Sequence, residues 1–229
     1  MLEPVNAHRS PQRGFTLVEL LVGLALALVV VAAGTLLLAR QVHEQRALVI
    51  EARLMQDLRS TADLVARDLR RAGHWGDAGA GVWTTAAPLR ANPYAAQAPA
   101  SAASDAASYA YSRDTAENDA LDGNEQFGLR LRNRAIELQL GAGNWQALTD
   151  ATLIEITALE ITPAVEEIDL GALCSKECAV GDAACPPRQL VRSLSVQISA
   201  RAVGDATVTR SLASRVRLRN DAIVGACST

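Results

Sequence analysis

Aromatic side chains make up only 3% of this 229-residue sequence, which leaves few platforms for stacking bases or sugars. Lysine occurs once, as Lys176, so the basic charge is carried almost wholly by arginine. With frequent alanine, that bias reads as a high-GC genome rather than as function. The net charge is −3 and the pI near 5.7. A domain that binds nucleic acid by bulk electrostatics is therefore not expected. Three histidines and four cysteines supply little material for metal or nucleophile chemistry. No serine lies in a nucleophile-elbow sequence, and no His-x-x-x-His pair or phosphate-cradling glycine loop occurs. The reading is a non-enzyme with no cofactor and no metal.

Long apolar runs are also scarce, with one exception. Hydrophobic residues reach 49%, near a globular average, but their concentration lies between Phe15 and Ala39. Residues 1–14 are short and polar, with Arg9 and Arg13 against Glu3, and they end in Gly14. Then follow Phe15-Thr16-Leu17-Val18-Glu19 and an apolar run from Leu20 to Ala39, broken only by glycines and Thr35. At about 1.5 Å per residue such a run covers the roughly 30 Å hydrocarbon core of a bilayer. Positive charge precedes it, which places the N-terminus in the cytoplasm and the bulk of the chain across the membrane. A secretory signal is cut after its apolar region, at small residues. Here the candidate junction, Arg13-Gly14-Phe15, precedes that region, so cleavage at Gly14 keeps the membrane helix.

Glu19 is the anomaly in this segment. A carboxylate near the end of a membrane helix costs a few kcal/mol, less at the interface. Snorkelling to the headgroups is the plain explanation. The alternative is a charge that awaits a partner. Cleavage after Gly14 gives Phe15 a free α-amine four residues before Glu19, and positions i and i+4 share a helix face. The two groups can pair within one subunit, or between neighbours in an assembly, where each relieves the other's burial.

Arg13-Gly14-Phe15-Thr16-Leu17-Val18-Glu19-Leu20-Leu21 resembles the prepilin signal of type IV pilins and type II secretion pseudopilins. The cleavage glycine, the Phe, the Glu and the apolar helix all stand at that family's spacing. The resemblance implies cleavage after Gly14 and N-methylation of Phe15 by a membrane aspartyl prepilin peptidase. It also implies Glu19 as the carboxylate that registers a subunit against its neighbour's N-terminus. The mature chain then has 215 of the 229 residues.

No proline interrupts the chain between Pro11 and Pro88, and helical patterning continues beyond the membrane. Ala47, Glu51, Leu54, Leu58, Ala62, Val65 and Leu69 recur every three or four residues. Arg46, Arg53, Asp57, Arg59, Asp63, Arg67 and Arg70 fall largely off that stripe, and Asp63 with Arg67 forms an i,i+4 pair. Gly73 suits the residue just past a helix C-terminus, with Arg70 and Arg71 complementing the dipole. One helix of about 58 residues is expected, with a membrane and assembly half over 15–40 and an amphipathic half over 41–73. A coiled coil is disfavoured by the short, Ala-rich stripe. Asp68-Leu69-Arg70-Arg71-Ala72-Gly73-His74-Trp75-Gly76 is similar to the helix-end pattern of PilW-type minor pilins, with His74 where an aromatic is expected. His74 reads as a capping or surface residue, and Trp75 as packed beneath a sheet.

Residues 74–126 read as a variable loop region, rich in Ala, Ser, Pro, Asn and Gly from Ala78 to Asp119, with one short strand near Ser108–Ser112. The 119–125 stretch, Asp119-Ala-Leu-Asp122-Gly123-Asn124-Glu125, resembles half of a calcium loop, but the EF-hand spacing is absent. It reads as a solvated turn. Residues 127–229 read as an antiparallel β head. Phe127–Arg132 and Ala135–Leu140 alternate apolar and polar around Asn133-Arg134, a hairpin pattern. Trp145-Gln146-Ala147-Leu148 leads into a β-leaning stretch, Ala151–Pro163, with Ile154, Ile156, Leu159 and Ile161. That Trp-Gln-x-Leu element recurs in pseudopilins and minor pilins. Leu190–Ala202 and Thr207–Leu218 form a final pair around Gly204-Asp205, with Val191, Leu194, Val196, Ile198, Val208, Leu212, Val216 and Leu218 as core. Val216-Arg217-Leu218-Arg219-Asn220 is similar to the closing strand of the same group. The expected fold is α+β and type IV pilin-like. A long N-terminal helix packs on a four- to five-stranded antiparallel sheet, and disulfides stabilise the C-terminal region. Glu166, Glu167 and Asp169 read as a solvated loop run rather than a paired acid–base site.

Cys174, Cys178, Cys185 and Cys227 all follow the membrane helix, and an even count in a translocated domain reads as disulfides. Four cysteines allow three pairings. Three clustered residues and one distant residue suggest one bridge within the 174–185 loop and one tying back the C-terminus. Zinc is disfavoured, since no paired Cys-x-x-Cys knuckle or nearby His occurs. Cys174-Ser-Lys-Glu-Cys178 lacks redox-motif spacing.

The resemblance implies a minor pilin that helps start or prime assembly of a type IV pilus and sits near the fibre tip. Its partners are then other minor and major pilins, the prepilin peptidase and the inner-membrane assembly platform. It waits as a single-pass inner-membrane protein with a periplasmic head and reaches the cell surface on assembly. A larger minor pseudopilin of type II secretion is the alternative, and an adhesive or DNA-binding tip subunit a third. A plain membrane-anchored periplasmic domain leaves Gly14, Phe15 and Glu19 unexplained together.

Overall fold

The computed structural model describes Gly14, residues 16–81 and residues 90–228. One helix, α1, runs Leu17–Leu69 without a break. Its last turns tighten over Arg71, Ala72 and His74, whose N–H groups bond three residues back to Asp68, Leu69 and Arg71 carbonyls. The chain divides into two units, Met1–Val49 and Ile50–Thr229. The second is the folded head.

Among the described residues nine strands follow: β1 Gln97–Ala98, β2 Ala106–Ala110, β3 Gln126–Arg132, β4 Ala135–Leu140, β5 Trp145–Ala147, β6 Ile154–Asp169, β7 Arg188–Ala202, β8 Thr209–Arg217 and β9 Ala222–Val224. They form two antiparallel sheets rather than one. The first is ordered β1-β2-β3-β4-β5, and the second β6-β7-β8, with β9 paired to β7 at its start. Two- and three-residue strands such as β1 and β9 carry no readable alternation, which is why a smaller count was expected from the sequence. Among the described residues, an isolated bridge between Ser104 and Ile161 and a hydrogen bond from the Ile156 N–H to the Arg134 carbonyl at 2.9 Å link the first sheet's side of the chain to β6.

The β3–β4 hairpin turns on Asn133 and Arg134, at φ 50° and 63°. Two successive left-handed residues are the type I′ geometry whose twist matches the flanking strands. The stretch from Ile154 continues past Pro163 to Asp169, because β7 pairs with it along its whole length, to Arg188. Glu166, Glu167 and Asp169 therefore lie on a strand and not in a loop.

The head has a core drawn from all three layers. Leu54, Leu58, Ala62, Val65 and Leu69 of α1 are buried. They meet Phe127, Leu129 and Ile136 of the first sheet, and Ile156, Ile161, Leu194, Val196, Ile198 and Val216 of the second. Trp75 is buried with Tyr94 and with Ala110 of β2 in a smaller cluster, against Ala78 and Ala80. Gly73 ends the helix at φ +77°. A Cβ there would stand 2.8 Å from the Arg219 carbonyl oxygen. Its own carbonyl accepts Nδ2–H bonds from Asn92 and Asn220, each at 2.9 Å. Loop and closing strand thus cap the helix jointly.

Asp68, on the last helical turn, accepts hydrogen bonds from the Tyr109 and Tyr111 hydroxyls. The Tyr111 ring stacks on Phe127 with centroids 3.8 Å apart, and Arg71 lies 4.1 Å over its other side. Burial, then the Asp68 charge, pushes the Tyr109 hydroxyl far up and Tyr111 up to about 12. Tyr94 is also raised, by burial and by its bond to Glu117. These are all three tyrosines of the chain.

A pH dependence follows. Below about pH 10 both folded and unfolded chains keep the phenolic protons, and the full stabilisation is present. Above it the unfolded chain ionises first, so stability falls as pH rises from about 10 through the folded value of Tyr111 near 12. In an alkaline titration, phenolate absorbance should appear only together with loss of the folded circular dichroism. A tyrosine that titrates near pH 10 with the dichroism intact contradicts this packing.

Candidate processing and assembly segment

Gly14 is exposed, and a Cβ built on it would meet nothing within 4 Å. Arg13 and Phe15, the other residues of the expected junction, lie outside the described residues. The helix begins immediately after. Thr16 caps it: its Oγ1 accepts the Glu19 N–H at 3.2 Å and its carbonyl accepts the Leu20 N–H at 3.1 Å. Thr16-Leu17-Val18-Glu19 has capping-box spacing, and this is the Thr half of such a box. No hydrogen bond of the Glu19 side chain accompanies it among the described residues. The carboxylate sits in the first turn, where the helix dipole favours negative charge. It is exposed and available to a partner.

Beyond it the helix is apolar on every side. Fourteen large aliphatic side chains between Leu17 and Leu38 are exposed, from 53% at Val22 to 75% at Leu17. An 18-residue window of this helix has a mean hydropathy of 2.7 and no buried residue, long and apolar enough to cross a membrane. Burying each such side chain is worth about 1.5–3 kcal/mol, so the run contributes more than about 20 kcal/mol on entering lipid or a helical bundle. The few kcal/mol that Glu19 costs there are small by comparison. Insertion wins, and the carboxylate travels with it.

Two family matches agree with this segment and with the head. Residues 9–35 match the prokaryotic N-terminal methylation motif. Residues 47–218, which are 172 of the 229, match the family described as prepilin peptidase-dependent protein B. This chain belongs to the prepilin peptidase-dependent protein B family. It is a pilin-like, membrane-anchored protein with a prepilin-type N-terminus, a pilus or pseudopilus subunit that depends on prepilin peptidase. No curated protein and no solved structure matches it.

Elsewhere in this prepilin peptidase-dependent protein, carboxylates of the 117–125 region are engaged by groups of the chain itself. Asp119 accepts from the Trp75 indole Nε1–H at 2.8 Å and pairs with Arg90. Glu125 is fully buried, and its two oxygens accept the Arg113 and Asp122 backbone N–H groups at 2.8 and 3.0 Å. Partial burial pushes the Glu117 carboxyl up, but the Gly76 N–H and the Tyr94 hydroxyl, both at 2.8 Å, hold it below its ordinary value. The 119–125 stretch is thus a loop tied to Trp75 and Tyr94. Among the described residues no group of three or more His, Cys, Asp or Glu converges as metal ligands. A cavity of about 650 Å³ lies beside Trp75, Arg192 and Asn220. Its polar side chains serve the fold: Gln189 donates to Asp221 at 2.7 Å and Arg192 to the Ala95 carbonyl at 2.6 Å.

The four cysteines form two nested bridges, Cys174–Cys227 and Cys178–Cys185. The outer one fastens the segment after β9 to the loop after β6. His74 is half-buried, and its backbone joins Arg71 and Ser112. Two features had no signal in the sequence: the Asp68–tyrosine cluster, spanning more than 40 residues, and the Glu51–Arg210 ion pair, spanning 159. Charge identity alone cannot select such partners over the many equivalent arginines.

Proposed function

We propose that the chain is a minor pilin of the PilW type, a structural subunit that helps start assembly of a type IV pilus and sits near its tip. The observation that carries this reading is Glu19, a carboxylate with no side-chain hydrogen bond among the described residues, at the head of fourteen exposed aliphatic residues. The peptidase cuts after Gly14, exposing the Phe15 amine, which is then methylated. In the membrane the helix is covered by lipid. When the assembly platform lifts it, the same side chains pack against helices of neighbouring subunits, and Glu19 meets the N-terminal amine of the subunit beside it. A charge pair sequestered from water is favourable only at the register where both groups meet. Registry is therefore the mechanism, and no bond is made or broken in assembly itself.

The head contributes rigidity and a surface. Support for the minor-pilin assignment comes from the resemblance of the helix end, Asp68 to Gly76; the head's family match supports a pilin-like subunit. With a net charge of −3 the chain offers no bulk attraction to nucleic acid, and the reading has no catalytic role. Deletion tests it against type II secretion. Loss of surface pili and twitching with secretion intact is expected, restored by the wild-type gene and not by Gly14→Ala. Intact pili with secreted enzymes retained in the periplasm would move the protein to a pseudopilus.

A further inference from the structure

The second sheet of the head ends in two open edges of opposite charge. On one side stands β6. Among the described residues its outer edge is engaged at Ile156, whose N–H donates to the Arg134 carbonyl at 2.9 Å, and at Ile161, by the bridge to Ser104, and is unpaired beyond. Backbone groups alternate sides along a strand, so those of Val165, Glu167 and Asp169 point outward like those of Ile161. This stretch, 162–169, carries Glu160 just before it and Glu166, Glu167 and Asp169 within it. Glu160 and Glu166 are exposed on the face away from the core and have no ion-pair partner among the described residues. Glu167 pairs with Arg188 at 3.0 Å.

On the other side stands β8, nine residues paired, among the described residues, to β7 alone. Its sequence, Thr209-Arg-Ser-Leu-Ala-Ser-Arg-Val-Arg217, holds three arginines and no acid. Arg215 and Arg217 alternate with buried Val216 and so project on the same solvent face as Glu160 and Glu166. Arg215 donates to the Ser193 hydroxyl at 3.1 Å, and Arg217 pairs with Asp221. Neither has its charge sequestered: the Arg217 side chain is 62% exposed.

We propose that the β8 edge of one copy docks on the β6 edge of a second copy, extending the sheet from head to head. Strands β6 and β8 both run antiparallel to β7, so the joined strands are parallel and the heads repeat in one direction. Edge charges and Pro163, which lacks an N–H, guard β6 against most strands. A basic edge is the one type they favour. Because the two docking surfaces differ, the contact is heterologous and leaves a free edge at each end, the arrangement that builds open filaments. This contact is independent of Glu19 and of the pilus assignment.

The test uses the full chain in non-ionic detergent, with association followed by light scattering at low and high salt. Wild type should self-associate at low salt and disperse at high salt. Glu160→Arg/Glu166→Arg, which makes the outward face of both edges basic, and Arg215→Glu/Arg217→Glu, which makes that face of both edges acidic, should each associate roughly tenfold more weakly. Mixed in equal amounts they should associate again, since each offers the other a complementary edge. Recovery on mixing also shows that both variants are folded. If wild type stays dispersed, if either variant associates as wild type does, or if the mixture stays as weak as its components, the proposal is overturned. Arg215→Glu alone repeats the test without disturbing Asp221.

Discussion

Glu19→Ala should leave the protein in the membrane at normal levels and reduce its incorporation into fibres about a hundredfold or more. Two magnitudes set this expectation. Membrane insertion rests on fourteen aliphatic side chains worth more than about 20 kcal/mol together. Removing one carboxylate lowers the cost of insertion rather than raising it. Assembly is different. Once a neighbour's amine is surrounded by apolar helices, the loss of its partner leaves an uncompensated charge, which costs about 3–5 kcal/mol. The Thr16 cap remains in the variant, because it uses the Glu19 backbone N–H and not the side chain. Helix start and processing should therefore be unchanged. Glu19→Asp keeps the charge on a shorter arm and should recover part of the incorporation. Comparing subunit in sheared fibres with subunit in membranes reads both quantities at once. Glu19→Ala found in fibres at wild-type proportion would remove the registry mechanism.

The larger stability loss in the head should follow removal of the outer disulfide. Cys174 and Cys227 are 53 residues apart, and Cys178 and Cys185 only 7. In the loop-closure account, a bridge stabilises by limiting the unfolded chain, and the effect grows with the logarithm of the loop. The outer bridge is then worth about 4 kcal/mol and the inner one about 2. Against a total of roughly 5–15 kcal/mol for an ordinary domain, the first is a large share. There is also a folded-state reason. The outer bridge fastens the segment after Ala222–Val224, a three-residue strand that pairs with Arg188–Leu190 of β7. Urea unfolding of the full chain in detergent, for Cys174→Ser/Cys227→Ser and for Cys178→Ser/Cys185→Ser, gives both numbers. An equal or reversed order would show that the inner loop holds native contacts beyond its own closure.

Local signals in this sequence were readable and distant ones were not. The single proline-free run gave the helix, whose observed limits, Leu17–Leu69, stop four residues before the glycine that caps it. Asn133-Arg134 between alternating segments gave a hairpin, and left-handed backbone at both residues explains why two sufficed. The alternation of Leu194, Val196 and Ile198 marked a strand with one buried face, as found. The division into two sheets was hidden, because β5 and β6 are separated by only six residues and nothing local says that they belong to different sheets. Glu-Glu-Ile-Asp after Pro163 looked like a loop for a similar reason. Its strand conformation comes from the partner strand, 188–192, and not from its own residues. Of the candidate site, Gly14 and Glu19 were named by spacing to the apolar run. The Thr16 cap on the Glu19 backbone N–H needed coordinates.

The account stands on processing before the helix rather than after it. Intact-mass and N-terminal analysis of the protein extracted from membranes tests that most directly. A chain of 215 residues beginning at Phe15, with one methyl group on its amine, is the predicted result. Gly14→Ala should instead leave all 229 residues in place. A mature N-terminus beyond Ala39, with the apolar run removed, would contradict the account at its base. No subunit lacking that segment could be held in a membrane or a fibre core by it.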